Sequence, residues 1–330
     1  MKSKDKSKDM KKRFEGVLLE AREVSYEVGG RSILYKVSTT FEPRQLTAIM
    51  GPSGCGKTTL LNTLAGRVSG KKSGSVLVNG KSTSLQKMRS LLSFMPQDDI
   101  LYMQLSVKQI LIYAALMRCP REWEYTRKVE RAHHIIATLG LKKVIDQKMH
   151  QVSGGQRKRC SAAIEFLSGR PILFMDEATS GLDSATATAL VDQLGEAAHL
   201  EFRTVVSTIH QPSFDLLSRF DKLILLGTID DDKGGTVVFD GQPSQLSSYF
   251  AQGGSPCFQG ENPADHVMYV LAEEGGSKWF ELWRDSPQKI ETNDRALAAL
   301  ARIEQNSIDV GQKIYLSHDE LDDDDDDDDD

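Results

Sequence analysis

Apolar and polar positions change period several times along the chain, and each change marks an element. Short apolar or alternating runs near the start read as strands: Val17-Leu18-Leu19, Val24-Ser25-Tyr26-Glu27-Val28, Ile33-Leu34-Tyr35 and Leu46-Thr47-Ala48-Ile49-Met50, with Gly29-Gly30 as a turn. A helical pattern runs from Lys57 to Arg67, and Val76-Leu77-Val78 leads into the turn pair Asn79-Gly80. From about Ser106 to Ile145 the period is helical. Val107, Ile110, Leu111 and Ala114 share one face, and Val129, Ala132, His133 and Ile136 another. A further helix follows Gln156 through Ala162, Ala163 and Phe166. Two buried-type strands, Ile172 to Met175 and Thr204 to Thr208, flank a helical stretch from Ser184 to Ala198. Beyond about residue 275 the pattern weakens, although Trp279 and Trp283 would share a face of a short helix.

Strands alternating with helices argue for an α/β fold with a mostly parallel sheet. The strand-rich start reads as an N-terminal antiparallel β subdomain, and the helical block at about 100–165 as an inserted α-helical subdomain. The expected division is a disordered basic arm at 1–14, a folded unit at 15–275, and a linker with an acidic tail at 276–330.

Composition changes this picture little. The chain has 330 residues, 39% hydrophobic and 27% charged, enough for one large core. The net charge of -6 is carried by the nine aspartates from Asp322 to Asp330. Without them, 38 of the 47 acidic residues face 41 basic ones, about +3. The body is nearly neutral and makes no electrostatic case for nucleic acid. The poly-Asp tail reads as a solvated end, since it has no Gly turn or mixed ligand set to shape a metal site. Cys55, Cys119, Cys160 and Cys257 show no CxxC spacing, which reads as reduced cytosolic thiols with no disulfide or zinc framework. No secretory leader is evident. The longest apolar candidate, Ile110 to Met117, is far below the ~18 residues that cross a bilayer. The expectation from this is a soluble chain. The basic start is either a plain arm or a contact with anionic lipid.

Gly51-Pro52-Ser53-Gly54-Cys55-Gly56-Lys57-Thr58 fits the phosphate-loop pattern, between an apolar strand and a helix start. Glycines let successive N–H groups point at phosphate oxygens, and the helix terminus adds favourable partial charge. Lys57 supplies a cation and Thr58 a hydroxyl for Mg²⁺. Cys55 within the loop is either a small filler or a redox-sensitive thiol. Phe174-Met175-Asp176-Glu177 ends an apolar strand in two acids, with Asp176 read as the metal carboxylate and Glu177 as the base acting on water. Ser153-Gly154-Gly155-Gln156 opens a helix, and reads either as an ordinary capped start or as an anion site. His210 stands just past a strand end, where an open α/β sheet places its ligands; a buried structural histidine is the competing reading.

Taken together these motifs resemble the ABC ATPase family over about residues 17–250. The order is Walker A at 51–58, Gln97 in Met-Pro-Gln-Asp, the signature Val152–Gln156, Walker B at 172–176 with Glu177, the D-loop Ser180-Gly181-Leu182-Asp183, and His210 as switch histidine. Pro96-Gln97-Asp98-Asp99, His210-Gln211-Pro212 and Asn262-Pro263-Ala264-Asp265 look like the G subfamily, the White-type half-transporters. Val152 and Ala178 depart from the wider pattern, where Leu and Pro are usual.

The resemblance implies a P-loop NTPase core that binds ATP and Mg²⁺ and hydrolyses ATP to drive export. Glu177, His210 and Gln97 are the implied catalytic group. Thr58, Gln97 and Asp176 are the implied metal ligands. Nucleotide contacts would come from residues 51–58, Thr59, Ser153, Gly154, Gly155, Gln156 and Asp183. Tyr26 would either stack on adenine or be an ordinary strand tyrosine. The implied partners are a second cassette, closing head to tail so that Ser153 of one meets the ATP held by Lys57 of the other, and a transmembrane domain. Such a chain would sit at the cytoplasmic face of a membrane through that partner. A non-transport ABC ATPase and a regulatory ATP-binding module are the alternatives. The first usually carries two cassettes or long coiled coils, and the intact acid, lysine and histidine set counts against the second.

Overall fold

In the computed structural model the described residues are 16–229 and 233–310. The basic arm expected at 1–14 and the poly-Asp tail lie outside them. Leu19–Val28 (β1) and Arg31–Phe41 (β2) form an antiparallel hairpin across Gly29 and Gly30, both at positive φ. Leu46–Met50 (β3) follows, every residue buried, and feeds the helix Lys57–Leu64 (α1). Lys71–Val78 (β4) returns along β1, with Lys81–Ser82 (β5) at its edge. Leu85–Leu91 (α2) leads into Leu92–Met95 (β6). Three helices then pack together: Val107–Arg118 (α3), Tyr125–Thr138 (α4) and Gly154–Leu167 (α5). Next come Ile172–Met175 (β7), Ser184–Glu201 (α6), Thr204–Thr208 (β8) and the single turn Phe214–Leu217 (α7). Lys222–Thr228 (β9) and Gly235–Gly241 (β10) precede four helices: Leu246–Gln252 (α8), Pro263–Glu274 (α9), Ser277–Arg284 (α10) and Pro287–Val310 (α11).

The strands form one ten-stranded sheet in the order β5-β4-β1-β2-β10-β9-β3-β8-β7-β6. From β9 to β6 every pairing is parallel. Strands covered on both faces favour apolar side chains, which is why β7 reads as an unbroken apolar run and β3 as one interrupted only by Thr47; β8 is equally buried but carries Thr204, Ser207 and Thr208 beside its two valines. The antiparallel strands continue this sheet, joined to it by the parallel pairing of β2 with β10. This is an α/β, P-loop NTPase fold. The carboxyl ends of β3, β7 and β8 open on one side, where such sheets place ligands. Four strands escape the periodicity reading: the two-residue β5, and β6, β9 and β10. Leu223-Ile224-Leu225-Leu226 in β9 is an apolar run too short for periodicity to tell strand from helix.

The stretch from 276, expected as linker, is helical where described. Trp279 and Trp283 do share a face of α10, and both are buried against β10 and α8. Trp279 stacks on Phe250 with ring centroids 4.1 Å apart, and a Cβ on Gly253 would run into its ring. Thr292 on α11 donates to the Asp240 carbonyl at 3.2 Å. The two indoles, with Phe280 against Tyr35, dock this short helix on the sheet.

Replacing Trp279 by Ala is expected to lower unfolding free energy by about 3–5 kcal/mol. Tyr269→Ala, at a site 66% exposed, is expected to change it by less than ~0.5 kcal/mol. Urea denaturation of both variants checks the contrast.

Candidate functional site

The loop between β3 and α1 holds its shape through three glycines in backbone regions that L side chains avoid: Gly51, Gly54 and Gly56, at φ of 150°, 81° and 95°. Gly51 has a second constraint. A Cβ there would collide with the Leu226 carbonyl and lie 2.6 Å from Cys55 Sγ. Gly56 is the N-cap of α1, and no side chain caps that helix. Its first N–H groups stay available for an anion. Around Gly54 nothing lies within 4 Å of where a Cβ would be, so the loop's mouth is open. Pro52 and Gly56 are half-buried, Ser53 and Thr58 exposed, and Thr59 half-buried in the first turn. Lys57 is buried, with Nζ donating to the carbonyls of Gly51 (2.7 Å) and Pro52 (3.0 Å).

Asp176 follows the last residue of β7 and is 2% exposed. Its Oδ1 accepts from Thr58 Oγ1 at 3.1 Å and from Thr208 Oγ1 at 2.7 Å. Thr208 Oγ1 in turn accepts the N–H of Glu177 at 2.7 Å. Glu177 is held at φ 50°, a left-handed conformation uncommon for any residue but Gly. Its carboxylate meets Gln97, whose Nε2 donates to Oε2 at 2.9 Å. His210 is exposed, with Nε2 3.3 Å from Ser53 Oγ. The structure thus brings Lys57, Thr58, Asp176, Glu177, Gln97 and His210 to one end of the sheet.

Ser153, Gly154, Gly155 and Gln156 form a different surface. Ser153 caps α5 in a capping box with Gln156, and Ser153 and Gly154 are exposed. A Cβ on Gly155 would come 3.2 Å from Leu182, so this helix start lies against the Ser180–Asp183 turn. Asp183 caps α6, accepting from the N–H (3.0 Å) and hydroxyl (2.7 Å) of Thr186. The Thr186 hydroxyl and N–H hold its carboxyl below the usual carboxylate range.

Tyr26 does not join either group. It is 7% exposed, packed in the core with its ring against Gly70. Alternation along β1 turns Val24 and Tyr26 inward together, so the adenine-stacking reading gives way to that of a strand tyrosine. Cys55 is fully buried, and desolvation pushes its thiol up despite the nearby Lys57, which suits a filler rather than a redox-sensitive thiol. Two site residues escape sequence reasoning. Thr208 was visible only as the end of a strand, two residues before His210. Lys158 is buried on α5, and its Nζ donates to the Gln97 carbonyl at 2.6 Å. It ties the signature helix to the segment that carries Gln97, a link no local pattern announces.

The donor set suits a nucleotide with a hard divalent cation. Thr58 and Asp176 offer only oxygen, as Mg²⁺ requires. Their oxygens lie 3.1 Å apart, near the roughly 2.9 Å edge of an octahedron with bonds of about 2.0–2.1 Å. Gln97, the third expected ligand, here contacts Glu177 instead.

Comparison with known proteins agrees with the geometry. Residues 34–180 match the family model described as ABC transporter, and residues 210–279 that described as ABC-2 type transporter. ABC transporter G family member 21 of Arabidopsis thaliana is 40% identical over 287 residues, spanning 84% of this chain and 40% of the relative. ABC transporter G family member 25 of Oryza sativa subsp. japonica is 36% identical, spanning 75% and 25%. Protein white of Drosophila melanogaster is 37% identical, spanning 73% and 36%. The chain therefore covers between a quarter and two fifths of these relatives' length. The ABC-2 match overturns one expectation, that the chain is soluble and reaches a membrane only through a partner, because that model describes a membrane-embedded transporter. The expectation rested on a lack of long apolar runs. Among the described residues no helix is long and apolar enough to cross a membrane, but a short apolar count in this stretch does not decide where the transporter sits.

Thr208→Val strips the Glu177 N–H of its acceptor while keeping the side chain's shape. The expected cost is about 1–3 kcal/mol of stability. Thr208→Ser is expected to recover most of it, read by thermal or urea unfolding.

Proposed function

Because the chain belongs to the ABC transporter family, on its G-type half-transporter branch, we propose that it binds Mg-ATP on the Gly51–Thr58 loop. We further propose that it hydrolyses ATP to drive export through a membrane domain. The observation that carries this reading is the link between loop and acids: Thr58 meets Asp176 at 3.1 Å, and Glu177 beside it meets Gln97 at 2.9 Å. In this reading residues 15–275 are the cassette, with a helical part at about 100–165.

Each residue then has a task. The loop's N–H groups and Lys57 bind the phosphates. Thr58, Asp176 and Gln97 would hold Mg²⁺, which would supply neutralising charge for the phosphates. Glu177 orients the attacking water and takes its proton, and Gln97 steadies that carboxylate. His210 reaches the γ-phosphate side from beside Ser53. Positioning and charge stabilisation supply most of the rate gain.

A second cassette completes the site. The exposed, capped start of α5 at Ser153–Gln156 supports a head-to-tail pairing in which it meets the nucleotide held by the other copy. The apolar hollow of about 500 Å³ lined by Ile100, Tyr102, Tyr113 and Met117 supports contact with a membrane domain, and it begins three residues past Gln97. Movement at Gln97 would carry the state of the nucleotide to that surface.

ATP turnover of the purified chain, measured across protein concentration, tests the reading. Activity is expected to rise more steeply than linearly. Glu177→Gln is expected to bind ATP but to turn over about 10²–10⁴ times more slowly. A linear dependence would count against the paired site, and an unimpaired Glu177→Gln against the base.

A further inference from the structure

Away from the nucleotide site, the segment joining α8 to α9 gathers three different ligand atoms. Cys257 Sγ, a Glu261 carboxylate oxygen and a His266 ring nitrogen all lie within 4.8 Å of one another. Glu261 Oε2 is 3.5 Å from His266 Nδ1 and 4.0 Å from Cys257 Sγ. Zinc bonds of about 2.0–2.3 Å in tetrahedral array set ligand atoms roughly 3.3–3.8 Å apart. One edge has that length already, and a shift of roughly an ångström in the cysteine side chain closes the others.

Surrounding contacts orient the ligands. His266 Nε2 lies 3.0 Å from the backbone carbonyl of Ser255, which can only accept, so this nitrogen carries the proton. Nδ1 then faces the Glu261 carboxylate at 3.5 Å, a contact that either a proton on Nδ1 or a cation held between the two satisfies. Ser255 is itself fixed. Its N–H donates to the Phe250 carbonyl at 2.9 Å, and its hydroxyl to Glu274 at 2.8 Å. Glu261 is steadied by the N–H of Phe258 at 3.2 Å. A carbonyl behind the ligating imidazole is the usual outer support of a metal-bound histidine.

We propose that Cys257, Glu261 and His266 form a binding site for a zinc-like divalent ion, with the fourth position open to water. One sulfur, one nitrogen and one oxygen suit a borderline ion rather than Mg²⁺. Glu261 is half exposed, so the ion enters from solvent. Without an ion, partial burial and then Glu261 push the Cys257 thiol up, and binding releases its proton. The loop so fixed also carries Asn262, whose Nδ2 donates to the Pro212 carbonyl at 3.0 Å, two residues past His210. A bound ion therefore stiffens the support of the His210 turn.

Titration calorimetry of the full chain with Zn²⁺ tests the site, in excess Mg²⁺ so that all-oxygen sites are filled. The wild-type chain is compared with Cys257→Ser and His266→Gln, each checked for folding by circular dichroism. One Zn²⁺ per chain is expected, with each substitution weakening it on the order of tenfold or more. Co²⁺ is expected to give a thiolate-to-metal charge-transfer band that Cys257→Ser lacks. Absence of Zn²⁺ binding, equal binding by wild type and Cys257→Ser, or a Co²⁺ complex without that band each overturns the proposal. A simple His266–Glu261 ion pair predicts the first of these.

Discussion

One carboxylate oxygen joins two strand ends and a helix start. Asp176 Oδ1 accepts hydroxyl hydrogens from Thr58, at the start of α1, and from Thr208, at the end of β8. A charge this deeply buried is costly unless it is bonded, and these hydroxyls supply the bonds. The same Thr208 oxygen accepts the Glu177 N–H and so holds a residue whose backbone lies in the left-handed region. Phosphate loop, acid pair and neighbouring strand are thereby fixed relative to one another. The positions of Gln97 and His210 matter only because this frame exists.

Close backbone packing makes the frame possible. A Cβ on Gly51 would strike the Leu226 carbonyl in β9, and one on Gly235 would overlap the Cys55 carbonyl. The phosphate loop is therefore pressed between β9 and the start of β10. Gly51 serves approach as well as dihedral freedom, and Gly235 serves approach. Cys55, fully buried at this contact, fills the space a larger residue would overfill. On the far side Lys158 reaches across to the Gln97 carbonyl. The helical block is thus tied to the sheet at the segment where a change in nucleotide state would be felt.

The differences between expectation and structure share a cause. Tyr26 was placed near the nucleotide by its order in the chain, but strand alternation turned it into the core. The segment after 276 looked like linker because its apolar residues are few, yet Trp279 and Trp283 bury enough surface to dock it. The nearness of Cys257, Glu261 and His266 has no counterpart in cysteine spacing, because helix α9 and its leading loop bring the glutamate and histidine round to the thiol.

The phosphate loop, the acids after β7, the capped Ser153 start and His210 were legible from sequence, as were the parallel strands and the helical block. Those features are local: each needs only a run of residues in a fixed order, and backbone geometry follows from glycine, cap and apolar pattern. The roles of Thr208 and Lys158, the inward turn of Tyr26, the strands β5, β6, β9 and β10 and the grouping of Cys257 with His266 were decided only by the tertiary structure. Each depends on contacts between segments far apart in the chain or on which face of a strand meets the core. A short apolar run or a single polar residue carries no record of the partner it will meet. That partner is set by packing and by the need to pair every buried polar group.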